Sequence, residues 1–270
     1  MNEVVPVYSV AKSYTAIAAI KSFNLDDPVG DHLAGLRADL GSLTFRSLLG
    51  HRSGLNDYAA WPDYRAAVEA RLAPWPQEQI LRRAEMGPSG RFRYSNIGFL
   101  LIRRALEQAH RGTFFDVLAD LVFEPLGIEA RPFATMEDWR HCHHPAINDW
   151  LRAYDPGWVY SGTFAANPQQ AARGLALALR GDSGAEVASA LRTSFHVDVP
   201  PQHPLAPTAG YGLGVMTGGD GEARVVGHGG QGPGITLFAA TNIWGTRWHA
   251  EVGSETDGDE PIRRCLTALR

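Results

Sequence analysis

The chain has 270 residues, 44% of them hydrophobic and 20% charged, which suffices for a large core. A formal net charge of −4 suggests neither a nucleic-acid binder nor a basic membrane-surface protein. Two cysteines far apart, Cys142 and Cys265, make no disulfide framework, and no apolar run reaches the roughly 18 residues of a membrane span.

Taken in order, Val10, Tyr14, Ile17 and Ala18 follow helical spacing, so a helix is expected from Ser9 to about Lys21. The turn residues Asn24 to Gly30 stop it. Thr44 to Gly50 reads as a short helix running into a polar loop, His51 to Asp57. Residues 58–86 read as helical pieces broken at Pro62 and at Pro74-Trp75-Pro76. After the turn Gly87–Gly90 and the segment Phe92–Asn96 comes a helix with Ile97, Leu101 and Ala105 on one face. Phe114, Val117, Leu118, Leu121 and Val122 form a second amphipathic pattern, ended at Pro125-Leu126-Gly127. Residues 128–160 read as irregular. Asn167, Pro168 and Gly181 read as N-cap, first position and exit of a helix, followed by a connection over 182–209.

The character then changes. Tyr211–Met216, Glu222–Val226, Gly234–Thr241 and Thr246–Val252 are short, β-prone and separated by glycine-rich turns, which predicts an antiparallel meander. Asp257 to Pro261 cap a final helix to Arg270. The pattern is α+β: an antiparallel sheet flanked by helices with an inserted, mainly helical lobe. The expected division is a discontinuous sheet domain, 1–29 and 206–270, and a lobe over 30–205.

Three clusters carry chemistry. Ser9 and Lys12 are one helical turn apart, close enough to share a proton. A serine hydroxyl needs a neighbouring base to become a nucleophile, and an amine serves only when its pKa is lowered. Lys12 is one of two lysines among 25 basic residues, and arginine cannot give up its proton. Tyr94 and Asn96 sit at a loop-to-helix junction, where a phenol can relay protons and an amide can bind donors and acceptors. Gly227 to Gly232 contains His228, Gly229, Gly230 and Gln231, and glycines between strands admit a ligand or another backbone.

Ser9-x-x-Lys12, Tyr94-x-Asn96 and His228-x-Gly230 together resemble, in order and spacing, the penicillin-recognising serine hydrolases. The branch is the class C β-lactamase-like one, with its esterases, D-aminopeptidases and DD-carboxypeptidases. Leu25–Val29, Leu48–Leu55, Phe123–Gly127 and Tyr211–Gly214 resemble its connecting segments. The resemblance implies that Ser9 attacks a carbonyl and is acylated. Lys12 and Tyr94 share the proton work, with the base left open between them. Asn96 binds the acyl side of the substrate, His228 stands where β-lactamases usually carry a lysine, and backbone N–H groups of Ser9 and Gln231 form an oxyanion hole. His228 would leave capture of a substrate carboxylate weaker than a lysine would.

The implied activity is hydrolysis of a small ester or a D-amino-acid amide through an acyl-enzyme, with a small-molecule substrate, no metal and no cofactor. A β-lactamase or DD-carboxypeptidase is the alternative within the family, and a non-catalytic ligand-binding domain the alternative outside catalysis. Family members usually have a helix and two strands before the Ser-x-x-Lys helix, whereas Ser9 lies near the start here. The resemblance therefore implies missing N-terminal strands and an open sheet edge, which a homo-oligomer would cover. Only eight residues precede Ser9 and read as no signal peptide, so a cytoplasmic location is expected; a cut N-terminus would leave a periplasmic origin open.

His141-Cys142-His143-His144 reads as a surface loop, because four adjacent residues cannot converge on one ion. His51 reads as a structural loop histidine. Trp139, Trp150 and Trp158 read as core or cleft wall, able to shape an apolar pocket. Gly212-x-Gly214 precedes no expected helix and is no dinucleotide fingerprint.

Overall fold

In the computed structural model the described residues are 3–219, 224–254 and 257–270. A 3₁₀ turn, Tyr8–Val10, leads into the helix Ala11–Ser22. Every residue from Ala11 to Ile20 is buried, and the helix reaches solvent only at its last two residues, Lys21 and Ser22. Its small residues let neighbours come close. The Cβ that Gly214 lacks would lie 2.6 Å from the Lys12 carbonyl oxygen, and Ser13 Oγ donates to the Gly214 carbonyl at 2.8 Å. Extended Phe23 ends the helix, as the turn residues after it require.

The large sheet has six antiparallel strands in sequence order. A small sheet lies apart, built from β1 (Val5–Pro6), β2 (Ala130–Pro132) and β3 (Phe164–Ala166), with β3 in the middle. The large one runs β4 (Ser194–His196), β5 (Gly210–Gly212), β6 (Met216–Gly218), β7 (Val225–Gly232), β8 (Ile235–Asn242) and β9 (Trp248–Gly253). All of β8 is buried, and its side chains alternate between two clusters. Ile235, Leu237 and Ala239 join the main core with the helix Ala11–Ser22 and the helix Pro168–Arg180. Phe238 and Ala240 face the opposite side, under Ile262, Cys265 and Leu269 of the C-terminal helix Glu260–Leu269. The sheet is therefore covered on both faces, and the fold is α+β as the pattern indicates.

Several elements differ from the sequence reading. Tyr211–Met216 is a hairpin, two short strands turning over Leu213–Val215, with Gly214 at φ +69°. Glu222 and Ala223 of the expected second strand lie outside the described residues, and β7 instead continues through the glycine-rich run to Gly232. The connection 182–209 contains a helix, Ala185–Arg192, and strand β4. Asn167, Pro168 and Gly181 do occupy the N-cap, first turn and left-handed exit expected of them.

β9 closes one side of the sheet. The Gln169 carboxamide occupies its outer edge, donating to the Ala250 carbonyl at 2.7 Å and accepting from the Ala250 N–H at 3.1 Å. A side chain thus stands where a further strand would pair. Among the described residues no helix is long and apolar enough to cross a membrane.

Candidate functional site

Ser9 lies in the 3₁₀ turn just before the buried helix, following Tyr8, whose φ of +45° is in the left-handed region. Tyr8 is buried, so packing holds this backbone. Glycines in β7 make the packing feasible. A Cβ at Gly230 would lie 2.3 Å from the Val7 carbonyl oxygen, and one at Gly232 2.2 Å from the Tyr8 ring. Strand β7 therefore runs directly against the turn that carries Ser9.

Lys12 is buried one turn beyond. Its Nζ donates to Ser9 Oγ at 2.9 Å and to Asn96 Oδ1 at 2.7 Å. Burial lowers its pKa from 10.5 to about 7, opposed by the Asp57 carboxylate. The Tyr94 hydroxyl donates to Ser9 Oγ at 3.0 Å, and burial pushes that phenol well above its ordinary value. Ser9 Oγ thus meets an amine able to be uncharged at neutral pH and a phenol that keeps its proton.

The Tyr94–Asn96 segment is fixed from below. Ser95 caps the helix Asn96–His110 through its Oγ, which also donates to the Asn56 carbonyl at 2.7 Å. The Ser95 N–H donates to His51 Nδ1 at 3.1 Å, and the His51 ring packs on Tyr94 with centroids 4.2 Å apart. Burial lowers the His51 pKa well below its ordinary value, so the ring is neutral. His51 is structural, as its loop position indicates, and it supports Tyr94 directly.

Asp57 is the carboxylate that sequence reasoning passed over. The Asn96 side chain donates to both its oxygens at 3.2 Å, and the Asn96 N–H donates to Oδ1 at 3.1 Å. Burial raises its pKa. One carboxylate thereby orients Asn96, whose Oδ1 faces Lys12. Its sequence signal is only an aspartate ending a polar loop before a 3₁₀ turn.

Ser9, Tyr94, Asn96 and His228 to Gln231 line one cleft of about 730 Å³, with Lys12 buried behind Ser9. Asp259 and Ile262, at the start of the C-terminal helix, line the same cleft. Strand β6 pairs with β7 only as far as Gly227, so residues 228–232 run on along the cleft. His228 is buried with both ring nitrogens engaged. Its Nδ1 donates to the Gly229 carbonyl at 2.6 Å, and its Nε2 accepts from the Tyr211 hydroxyl at 3.0 Å. Burial, reinforced by Lys12, lowers its pKa to about 3, so it is neutral at physiological pH.

The other sequence candidates lie elsewhere. Trp158 is buried against Trp75 and Tyr64, Trp139 against Phe133, and exposed Trp150 stacks under Arg71. His141 and His143 border a separate cavity beside Arg131 and Arg140.

The Beta-lactamase family model matches residues 1–248. Penicillin-binding protein 4* of Bacillus subtilis (strain 168) is 27% identical over 137 residues. That stretch is 47% of this chain and only 30% of the relative's length. A D-stereospecific amidohydrolase from Streptomyces sp. superposes with a TM-score of 0.79 at 21% identity, covering 99% of this chain and 86% of that one. D-amino acid amidase from Ochrobactrum anthropi SV3 superposes with a TM-score of 0.76 at 20% identity, covering 99% and 93%. A family match over nearly the whole length, on a fold shared with these structures, shows that the chain belongs to the Beta-lactamase family.

Proposed function

We propose that the protein is a serine hydrolase that forms an acyl-enzyme at Ser9 and cleaves small esters or amides of D-amino acids. The observation that carries this is the double contact on Ser9 Oγ, from Lys12 Nζ at 2.9 Å and the Tyr94 hydroxyl at 3.0 Å, at the cleft wall.

In this reading uncharged Lys12 takes the Ser9 proton as Oγ attacks the substrate carbonyl. The choice of base, open at the sequence level, falls on Lys12, because its pKa of about 7 leaves it partly unprotonated while the phenol stays protonated. Tyr94 then hands a proton to the leaving alcohol or amine and is reprotonated from Lys12. Backbone N–H groups of Ser9 and Gln231 receive the developing oxyanion, the role for which β7 is brought against the Ser9 turn. Asn96 holds the acyl portion. Water deacylates the enzyme by the same proton path in reverse. Proton transfer of this kind contributes on the order of 10²–10⁴ in rate.

D-aminoacyl substrates fit through Asp57, a carboxylate in the cleft wall able to meet an α-ammonium group. A β-lactamase or DD-carboxypeptidase fits less well, because the third motif presents a neutral, fully engaged His228 where a substrate carboxylate would need fixed charge. The test is mass spectrometry after a fluorophosphonate or a p-nitrophenyl ester. The wild type should carry one covalent adduct on Ser9 and the Ser9→Ala variant none. Labelling of the variant, or binding without an adduct in the wild type, would overturn the assignment.

A further inference from the structure

With His228 neutral, the described residues lining the cleft still include one cation that the catalytic arrangement does not use. Arg65, on the helix Pro62–Glu69, is exposed and lines the same cleft as Ser9. Its Nε donates to the Ala59 carbonyl at 2.9 Å, which holds the stem and leaves the two terminal nitrogens of the guanidinium available. The ion pairs among the described residues do not include it. Nearby Arg83, by contrast, is bound by Asp63 at 2.8 Å. Lys12 is the cation that opposes the upward shift of the Asp57 pKa.

Connectivity places Arg65 on one side of the nucleophile. Arg65 is tied to Ala59, the Ala59 N–H reaches Asp57, and Asp57 holds Asn96. That is the side on which the proposed mechanism seats the acyl portion. The acyl side therefore offers a carboxylate in the wall and a guanidinium that is in no ion pair among the described residues. An acyl group with an α-ammonium and an acidic side chain is complementary to both.

Resting on the serine-hydrolase reading above, we infer that Arg65 selects substrates whose acyl residue carries a negative charge, namely D-glutamyl or D-aspartyl esters and amides. An exposed guanidinium in a fixed fork suits a carboxylate bidentately, a match that lysine or a neutral amide does not reproduce.

The experiment compares kcat/KM for the p-nitroanilides of D-glutamate and D-glutamine, which have the same shape and differ in charge. A hydrogen-bonded charge pair predicts that the wild type prefers D-glutamyl by about tenfold or more. Arg65→Gln should bring that ratio close to one, Arg65→Lys should keep part of it, and added salt should shrink it in the wild type. Equal rates in the wild type, or a ratio that Arg65→Gln leaves intact, would overturn the inference while leaving the hydrolase reading standing. Loss of Ser9 labelling by a fluorophosphonate in the wild type would overturn both.

Discussion

Replacing Lys12 with methionine should abolish activity and stabilise the fold, and the size of the gain follows from the site. A lysine in water holds its proton up to 10.5, but here burial lets it go at about 7. At 1.36 kcal/mol per pH unit, and with the folded amine half deprotonated at pH 7, the folded protein carries a penalty of about 4 kcal/mol at this position. Methionine has a similar reach, no charge and a flexible thioether, and it can fill the space between the Tyr94 and Phe99 rings. Against this stand the bonds to Ser9 and Asn96, whose loss, with Asn96 Oδ1 left without that donor, costs about 1–3 kcal/mol. The net expectation is a stabilisation of about 2 kcal/mol at pH 7. The sign with pH is fixed. Between about 7 and 10.5 the unfolded chain holds a proton on Lys12 that the folded chain has released, so wild-type stability rises with pH across this window. The variant lacks that slope. Its advantage is greatest at and below pH 7 and is gone by pH 9.5, where the remaining penalty is about 1 kcal/mol and the lost bonds prevail. Urea unfolding of both proteins at pH 7 and 9.5 measures this. A variant less stable than wild type at both pH values by the same amount would refute the argument that Lys12 is held uncharged against its own preference.

The acylation rate of the wild type should rise with pH through an inflection near 7, because Lys12 must be unprotonated to act; a flat stopped-flow profile from pH 5.5 to 8.5 would remove Lys12 as the base. Asp57→Asn should move that inflection to lower pH, since the carboxylate favours the charged amine, and should depress kcat/KM more for free D-aminoacyl amides than for N-acetylated ones. Gly232→Ala should lower stability by about 1–3 kcal/mol and slow acylation, because its Cβ enters the buried Tyr8 ring beside Ser9; thermal melting and burst amplitude report the two effects separately.

The parts of the site legible in the sequence were those whose chemistry is unusual for their surroundings. A lysine one turn from a serine in a helix of alanine and isoleucine is hard to explain as a solvated surface residue, and Lys12 is buried. Tyr94 and Asn96 were legible from the junction at which they sit. What escaped notice was supplied by tertiary contact. Asp57 gains meaning only when Asn96, 39 positions on, is brought against it. Arg65 sits on a short surface helix whose pattern says nothing of a cleft. The Gly227–Gly232 part of strand β7 reads as a link between strands because four of its six residues are glycine, which shows no alternation of side chains. Its extended form is settled by pairing along the length of β8, and the glycines at 230 and 232 by Val7 and Tyr8.

The histidine at position 228 also bears on how the base is tuned. A lysine there would set a second buried ammonium beside Lys12, and like charges would drive both to release protons at lower pH. Neutral His228, locked between Tyr211 and the Gly229 carbonyl, removes that repulsion. Two opposing influences then remain on Lys12: burial, which lowers its pKa, and the Asp57 carboxylate, which raises it. Their balance near 7 places the amine where a base is most effective at neutral pH. A histidine at 228 also puts no fixed charge on the β7 side of the cleft, and among the described lining residues the cation is Arg65. In the proposed reading, neutral His228 leaves the Lys12 pKa to burial and Asp57, and leaves recognition of a charged acyl group to Arg65.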